Sequence, residues 1–109
     1  MKLVIAVVQD QDASPLMDML VDRGFRATKL ATTGGFLRQG NTTLLIGTED
    51  EDVEDVVEII KSVCRWRTQL IPPMSVVGRS VESYVGQPVE VPVGGATIFV
   101  LDVTRFEKI

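Results

Sequence analysis

The residues that decide the fold are 25–47, which read FRATKLATTGGFLRQGNTTLLIG. They begin with the alternation of a β-strand, pass through the run Thr32-Thr33-Gly34-Gly35, and resume alternation at Thr42. Two alternating segments joined by a glycine-containing connection predict a β-hairpin with an enlarged tip. The unusual residues lie at and beside the tip, so the search for function begins there.

Strand periodicity predicts which hairpin residues share a face. Arg26 and Thr28 lie on one face of the first strand, and Asn41 and Gly47 lie on one face of the second. If the two polar faces coincide, we expect Arg26, Thr28 and Asn41 to converge beside the glycine-rich tip.

The side chains near the tip fit a phosphorylated purine better than a catalytic reaction. The guanidinium of Arg26 matches phosphate oxygens two at a time. The backbone N–H groups of Gly34 and Gly35 can form a small anion-binding concavity. Phe36 offers a ring on which a base can stack, and Asn41 offers the donor and acceptor that an adenine edge requires. The hydroxyl of Thr28 and the space left by Gly47 would complete the site.

Each of these residues also has a simpler interpretation. Arg26 is equally compatible with a solvated ion pair, the Thr-Thr-Gly-Gly run with ordinary turn chemistry, and Phe36 with a core anchor. Asn41 beside Gly40 is also compatible with a turn position. The clustering of these residues, and none of them alone, favours a binding site.

Composition excludes several classes of function. The chain has 109 residues, which predicts a single domain spanning residues 1–109. Its net charge of −4 argues against general binding to DNA or RNA. The absence of histidine and the presence of one cysteine, Cys64, exclude zinc-site spacings, Cys/His and Ser/His nucleophile pairs, and an intrachain disulfide. We therefore expect no catalytic residues, no metal site and no enzyme activity.

The N-terminal half predicts a strand followed by a helix. The continuous apolar run Leu3–Val8 is typical of a central strand buried on both faces. It is too short to span a membrane and lacks a cleavage site, so we expect a cytoplasmic protein without membrane insertion. Asp12 or Ser14 is predicted to cap a helix with Pro15 in its first turn, and Gly24 to end it.

A second helix is predicted after the acidic run of residues 49–55. Apolar residues then recur at helical spacing up to Cys64, and Lys61, Arg65 and Arg67 gather at the C-terminal end, where they complement the helix dipole. The acidic run lacks the spacing and the glycine of a calcium loop, so it indicates a solvated helix face.

The remaining residues predict a long loop and two strands. Residues 66–87 have weak periodicity and predict an irregular segment. A short edge strand is predicted at Val89–Val93 because Pro92 interrupts it, and a long apolar strand over residues 96–103 is the expected partner of the first strand. The order of elements predicts an α+β, ferredoxin-like βαββαβ fold with a long loop after the second helix. Its apolar open face indicates oligomerisation.

Three segments together resemble the PII-like cyclic di-AMP receptor family of bacteria: FRATKLATTGGFLRQGNTTLLIG, the opening VIAVVQDQD and the closing PVEVPVGGATIFVL. The resemblance extends over nearly the whole chain and is weakest in residues 66–87 and in the tail. It implies a PII-like ferredoxin fold, a homotrimer with its sheets packed at the centre, and one cyclic di-AMP in each cleft between subunits. It also implies a receptor that signals to an unidentified downstream protein through rearranged loops.

The resemblance also implies roles for individual residues. Arg26 and Thr28 would contact phosphate, and Asn41 and Gly47 would recognise adenine. Gly35, Phe36 and Leu37 would frame a base, and Gly94, within the matching VGGAT segment, would lie at the edge of the cleft. Apart from the ligand, no cofactor is implied.

Two other functions stay open. The first is a PII-like sensor of ATP or ADP, which is disfavoured by the absence of a GKS or GKT phosphate-binding loop. The second is a trimeric scaffold that binds a protein and no nucleotide.

Overall fold

The computed structural model describes residues 1–30, 40–71 and 89–109. In chain order the elements are β1 (Lys2–Gln9), α1 (Asp10–Asp22), β2 (Arg26–Lys29), β3 (Asn41–Thr48), α2 (Val53–Val63), β4 (Arg67–Ile71), β5 (Val89–Val93) and β6 (Ala96–Asp102). Gly35, Phe36 and Leu37, and all of the long loop after residue 71, lie outside the described residues.

Four strands form an antiparallel sheet in the order β2-β3-β1-β6, and both helices pack against one of its faces. The predicted ferredoxin-like βαββαβ fold is confirmed. The apolar run in β1 occupies an interior position, and β6 pairs with it over seven positions from Lys2↔Asp102 to Val8↔Ala96, as expected. The core consists mainly of Val4, Ala6, Val8, Leu16, Leu20, Leu44, Ile46, Val56 and Ile60.

Among the described residues the helices cover one face of the sheet, and the other face of β1 is only half-buried, so the expectation that β1 is buried on both faces is wrong for the described part of the chain. Val4, Ala6 and Val8 point to the helices and are almost completely buried, whereas the alternating side chains of β1 are half-buried. On the open face, Phe99 and Leu101 are 52% and 48% exposed. A large apolar surface therefore faces away from the helices.

Helix α1 starts earlier than predicted. It begins at Asp10, directly after β1, and no side chain caps it. Pro15 consequently lies beyond the first turn, and Asp12 is buried in an ion pair with Arg67 and does not serve as the cap. Gly24 does end the helix region: its φ of +88° is in the left-handed range, and its N–H donates to the Val21 carbonyl at 3.0 Å.

The acidic run forms a 3-10 turn, Asp50–Asp52, that leads into α2. The buried residues of α2 are Val56, Ile59 and Ile60, in agreement with the predicted helical spacing. Only Lys61 lies in the last turn of α2. Arg65 and Arg67 lie beyond the helix, so the predicted cluster of three cations at its end is wrong.

A two-stranded antiparallel ribbon, formed by β4 and β5, follows α2. The predicted strand at Val89–Val93 is confirmed, but the prediction that residues 66–87 are irregular is wrong at Arg67–Ile71, which form β4. The pairing Arg67↔Val93 lies at the end of the ribbon nearest the sheet. The residues on either side of 72–88 thus form a defined element.

None of the helices in the described parts of the chain is long and apolar enough to span a lipid bilayer.

Candidate nucleotide site

The pairing of β2 with β3 places Arg26 opposite Gly47 and Thr28 opposite Leu45. Directly opposed residues of antiparallel strands project to the same face, so these side chains lie together on the open face of the sheet. They line a cavity of about 520 Å³ together with Met1 and Leu3. Arg26, Thr28 and Gly47 are therefore brought together, as the strand periodicity predicted.

The C-terminal tail completes this cavity. Val103 donates its backbone N–H to the Met1 carbonyl at 3.2 Å, which directs the tail past the start of β1. Phe106, which is 63% exposed, and Lys108 then line the cavity with Arg26. The tail thus adds to the open-face cavity an aromatic ring, a second cation and the carboxylate of Glu107, which pairs with Arg105.

Phe106 and Lys108 are not among the predicted site residues. They lie about 80 residues from Arg26 in the chain, and the tail has no periodicity that would place it. The tail comes close to Arg26 because β6 pairs with β1, and this pairing ends at Lys2↔Asp102.

A second cavity, of about 480 Å³, lies on the other side of Arg26. It is lined by Arg23 and Arg26 and by the carboxylates of Glu49, Asp52 and Asp55. The open-face cavity has the cations Arg26 and Lys108 and one carboxylate, Glu107. Because carboxylates repel an anion and outnumber the cations only in the second cavity, the open-face cavity is the better environment for phosphate.

The N-terminus closes one side of both cavities. The amino group of Met1 pairs with Asp50 at 2.8 Å. This hydrogen bond raises the pKa of the amino group and lowers the pKa of the Asp50 carboxyl. Asp50 is thereby neutralised by the amino group of Met1 and does not need Arg26 as a partner.

Asn41 lies at the opposite end of β3 from Gly47. It pairs with Gln9 and lines a cavity of about 310 Å³ with Gly94, Gly95 and Thr97. Asn41 and Gly47 are six strand positions apart, which corresponds to about 20 Å at the usual rise of a strand. Arg26, Thr28 and Asn41 do share a face, but the expectation that they converge within one chain is wrong.

Gly94 has a structural role in addition to its predicted one. Its backbone N–H donates to Oε1 of Gln9 at 2.7 Å, and its φ is +93°. A Cβ at this position would lie 2.1 Å from the Arg65 carbonyl oxygen, so the fold itself requires glycine here. Contact between Gly94 and a ligand stays a prediction.

The remaining predicted site residues, Gly35, Phe36 and Leu37, lie outside the described residues and stay predictions. Burial raises the pKa of Cys64 to about 11, so its thiol is neutral and a poor nucleophile. Within residues 1–30, 40–71 and 89–109, no group of three or more His, Cys, Asp or Glu side chains is arranged to hold a metal ion.

Two comparisons with known proteins accompany this geometry. The sequence model of a protein family described as cyclic-di-AMP receptor matches residues 1–109, the whole chain. The structure is also similar to the crystal structure of a functionally unknown protein from Pediococcus pentosaceus ATCC 25745, at 48% sequence identity and a TM-score of 0.78. That match covers 99% of this chain and 96% of the other.

Proposed function

The chain belongs to the cyclic-di-AMP receptor family, and we propose that it binds cyclic di-AMP in clefts between the subunits of a homotrimer. Binding then changes the β4–β5 ribbon and the loop it carries, and a downstream protein detects the change. The proposal includes no chemical reaction, since a receptor acts by shifting populations of conformations.

The observation that carries the proposal is the arrangement of Arg26, Thr28 and Gly47 around one cavity. Arg26 offers a charged fork for a phosphate, Thr28 offers a hydroxyl, and Gly47 leaves space for a planar base. Lys108 adds a second cation and Phe106 an exposed ring from the tail. Phosphate and aromatic contacts side by side are what a nucleotide requires.

The separation of Asn41 from Gly47 supports a site shared between subunits. A single adenine ring is much shorter than the roughly 20 Å between these positions, estimated from the rise of a strand. Asn41 and the residues around Arg26 in one chain therefore cannot contact the same base. A neighbouring subunit that contributes its own Asn41 would bring both kinds of contact to one ligand.

The open face of the sheet supports a homotrimer. Leu3 and Ile5 of β1 pair with Leu101 and Phe99 of β6, and with Leu45 of β3 they form a continuous apolar surface. Such a surface is typical of an interface between copies of a chain. We propose that the three sheets pack against one another through this face.

Isothermal titration of the purified protein tests the function. Cyclic di-AMP is compared with cyclic di-GMP, ATP, ADP and AMP, and the mass in solution is measured in parallel. We expect micromolar or tighter binding of cyclic di-AMP, at one ligand per chain of a trimer. A folded trimer that binds none of the nucleotides would refute the receptor and favour a protein-binding scaffold.

A sensor of ATP or ADP is the second candidate, and Lys108 is the observation that favours it. A triphosphate carries more charge than the two phosphodiesters of cyclic di-AMP, and Lys108 adds a cation beside Arg26. Binding of ATP or ADP in preference to cyclic di-AMP would establish this alternative.

Asn41→Ala is expected to weaken binding of cyclic di-AMP by about 1–3 kcal/mol, because one pair of contacts to the adenine edge is lost. Asn41 is exposed at the end of β3, so the trimer and its thermal stability should be retained. Titration and the mass in solution are the two measurements. Unchanged affinity in a folded trimer would place adenine recognition elsewhere.

A further inference from the structure

The last residue of β1 and the first three of α1 are all polar, Gln9-Asp10-Gln11-Asp12, and are here called the junction. The proposed function assigns no role to it. Its side chains contact two regions of the protein that are far apart in the sequence, the base of the β4–β5 ribbon and the start of β3.

The junction holds both strands of the ribbon at its base. Nη2 of Arg67, the first residue of β4, donates to Oδ1 of Asp12 at 2.8 Å. The Asp12 side chain is only 4% exposed, so Arg67 is the cation that compensates a buried carboxylate. Gly94, directly after β5, donates its N–H to Gln9. Because Arg67 pairs with Val93, the two contacts lie side by side.

Two residues of the junction, Gln9 and Asp10, also hold the start of β3. The backbone N–H of Asp10 donates to the Gly40 carbonyl at 3.1 Å, and the hydroxyl of Thr42 donates to Oδ1 of Asp10. Thr42 is almost fully buried, and Gln9 is the pairing partner of Asn41. The position of Asn41 is therefore fixed by the residues that also fix the ribbon.

We infer that the junction couples the Asn41 end of β3 to the β4–β5 ribbon. The coupling rests on the proposed function: a ligand that contacts Asn41 changes the conformation of the ribbon through the junction. Coupling between two sites is reciprocal, so breaking the Arg67–Asp12 pair is expected to change the affinity for a ligand that contacts Asn41. Hydrogen bonds on both sides of the junction thereby connect the ribbon to the Asn41 end of β3.

Hydrogen exchange of the ligand-free protein tests the coupling directly. Arg67→Gln breaks the ion pair on the ribbon side, and Thr42→Val removes the hydroxyl on the β3 side. We expect Arg67→Gln to accelerate exchange of the Asp10 amide, and Thr42→Val to accelerate exchange of the Gly94 amide, each by about fivefold or more. Arg67→Lys, which retains the charge, should reduce the effect.

Two controls separate coupling from general loss of stability. Lys61→Gln removes an ion pair with Glu58 on the exposed surface of α2 and should leave both amides unchanged. The amide of Val4, in the middle of the sheet, reports global opening in every variant. Acceleration confined to the mutated side of the junction, or equal acceleration at Val4, would overturn the inference.

Titration of Arg67→Gln with cyclic di-AMP then separates this inference from the proposed function. If the wild-type protein binds, we expect the affinity to change by about fivefold or more, and an unchanged affinity would overturn the inference. If the wild-type protein does not bind, the proposed function fails, while the exchange data on the ligand-free protein still decide whether the junction couples its two sides.

Discussion

Gly94→Ala is expected to lower the free energy of unfolding by more than about 3 kcal/mol, in the range of severe single substitutions. The new Cβ would lie 2.1 Å from the carbonyl oxygen and 2.9 Å from the carbonyl carbon of Arg65, and both are backbone atoms that cannot rotate away. The φ of +93° adds strain for any residue with a Cβ. Urea denaturation followed by circular dichroism measures the difference.

Gly95→Ala is the matched control. Gly95 is adjacent in the chain and has a similar φ of +86°, but apart from its chain neighbours no atom of the described residues lies within 4 Å of a Cβ built on it. Gly95→Ala is therefore expected to lower the free energy of unfolding by about 1–2 kcal/mol, the cost of the left-handed backbone alone. Equal destabilisation by the two substitutions would show that Arg65 moves aside and that the close contact is not the reason for glycine at position 94.

The substitution at Gly94 is also expected to affect the base of the ribbon. Its N–H holds Gln9, and Arg65, whose carbonyl oxygen limits the space, also accepts a hydrogen bond from Nη1 of Arg67 at 2.8 Å. A displaced Gly94 would therefore disturb the base of the ribbon on both strands. The family resemblance implies that Gly94 lies at the edge of the cleft. Within one chain, the packing against Arg65 already explains why this residue is glycine.

Local patterns predicted the sheet and the helices well. The spacing of Val56 and Ile60 in α2 and the alternation in Val89–Val93 reflect burial on one stripe or face, and such burial leaves a periodic signal in the sequence. The continuous apolar run of β1 predicted its interior position in the sheet, although only one of its faces is buried in the single chain. The face on which Arg26, Thr28 and Gly47 lie was predicted for the same reason, since the period of a strand is two.

Features that depend on pairing between distant residues could not be predicted in this way. Strand β4 reads RTQLI and, among the described residues, pairs with β5 in a two-stranded ribbon. Residues 67–70 are exposed or half-buried in the described part of the chain, so no buried face imposes alternation on them. The ion pair between Asp12 and Arg67 joins residues 55 positions apart, and nothing local marks either one. Asp12 was assigned to a helix cap because caps are local and ion pairs are not.

The error at Asn41 has a related origin. Periodicity assigns a residue to a face, but only the register assigns it to an end of the strand. With Arg26 opposite Gly47 and Gln9 opposite Asn41, the two halves of the predicted site lie at opposite ends of β3. The tail residues Phe106 and Lys108 were missed because their position follows from the pairing of β6.

Arg26→Ala is expected to weaken binding of cyclic di-AMP by about 1.5–3 kcal/mol, or roughly 10- to 150-fold, the usual cost of losing hydrogen bonds to a charged group. Arg26 is exposed, so the free energy of unfolding should change by no more than about 0.5 kcal/mol. Isothermal titration measures the affinity, and urea denaturation measures the stability.

Arg23→Ala is the control that gives this experiment its meaning, because it removes the same charge from the same part of the surface. Arg23 lines the acidic cavity with Glu49 and Asp52 but not the open-face cavity with Thr28 and Lys108. We expect it to leave the affinity nearly unchanged. Equal losses would mean either that the net charge of this surface attracts the ligand without a specific contact or that the ligand lies in the acidic cavity, which both arginines line; both results contradict a phosphate site in the open-face cavity. A loss for Arg23→Ala alone would place the phosphate in the acidic cavity, against the electrostatic argument made above.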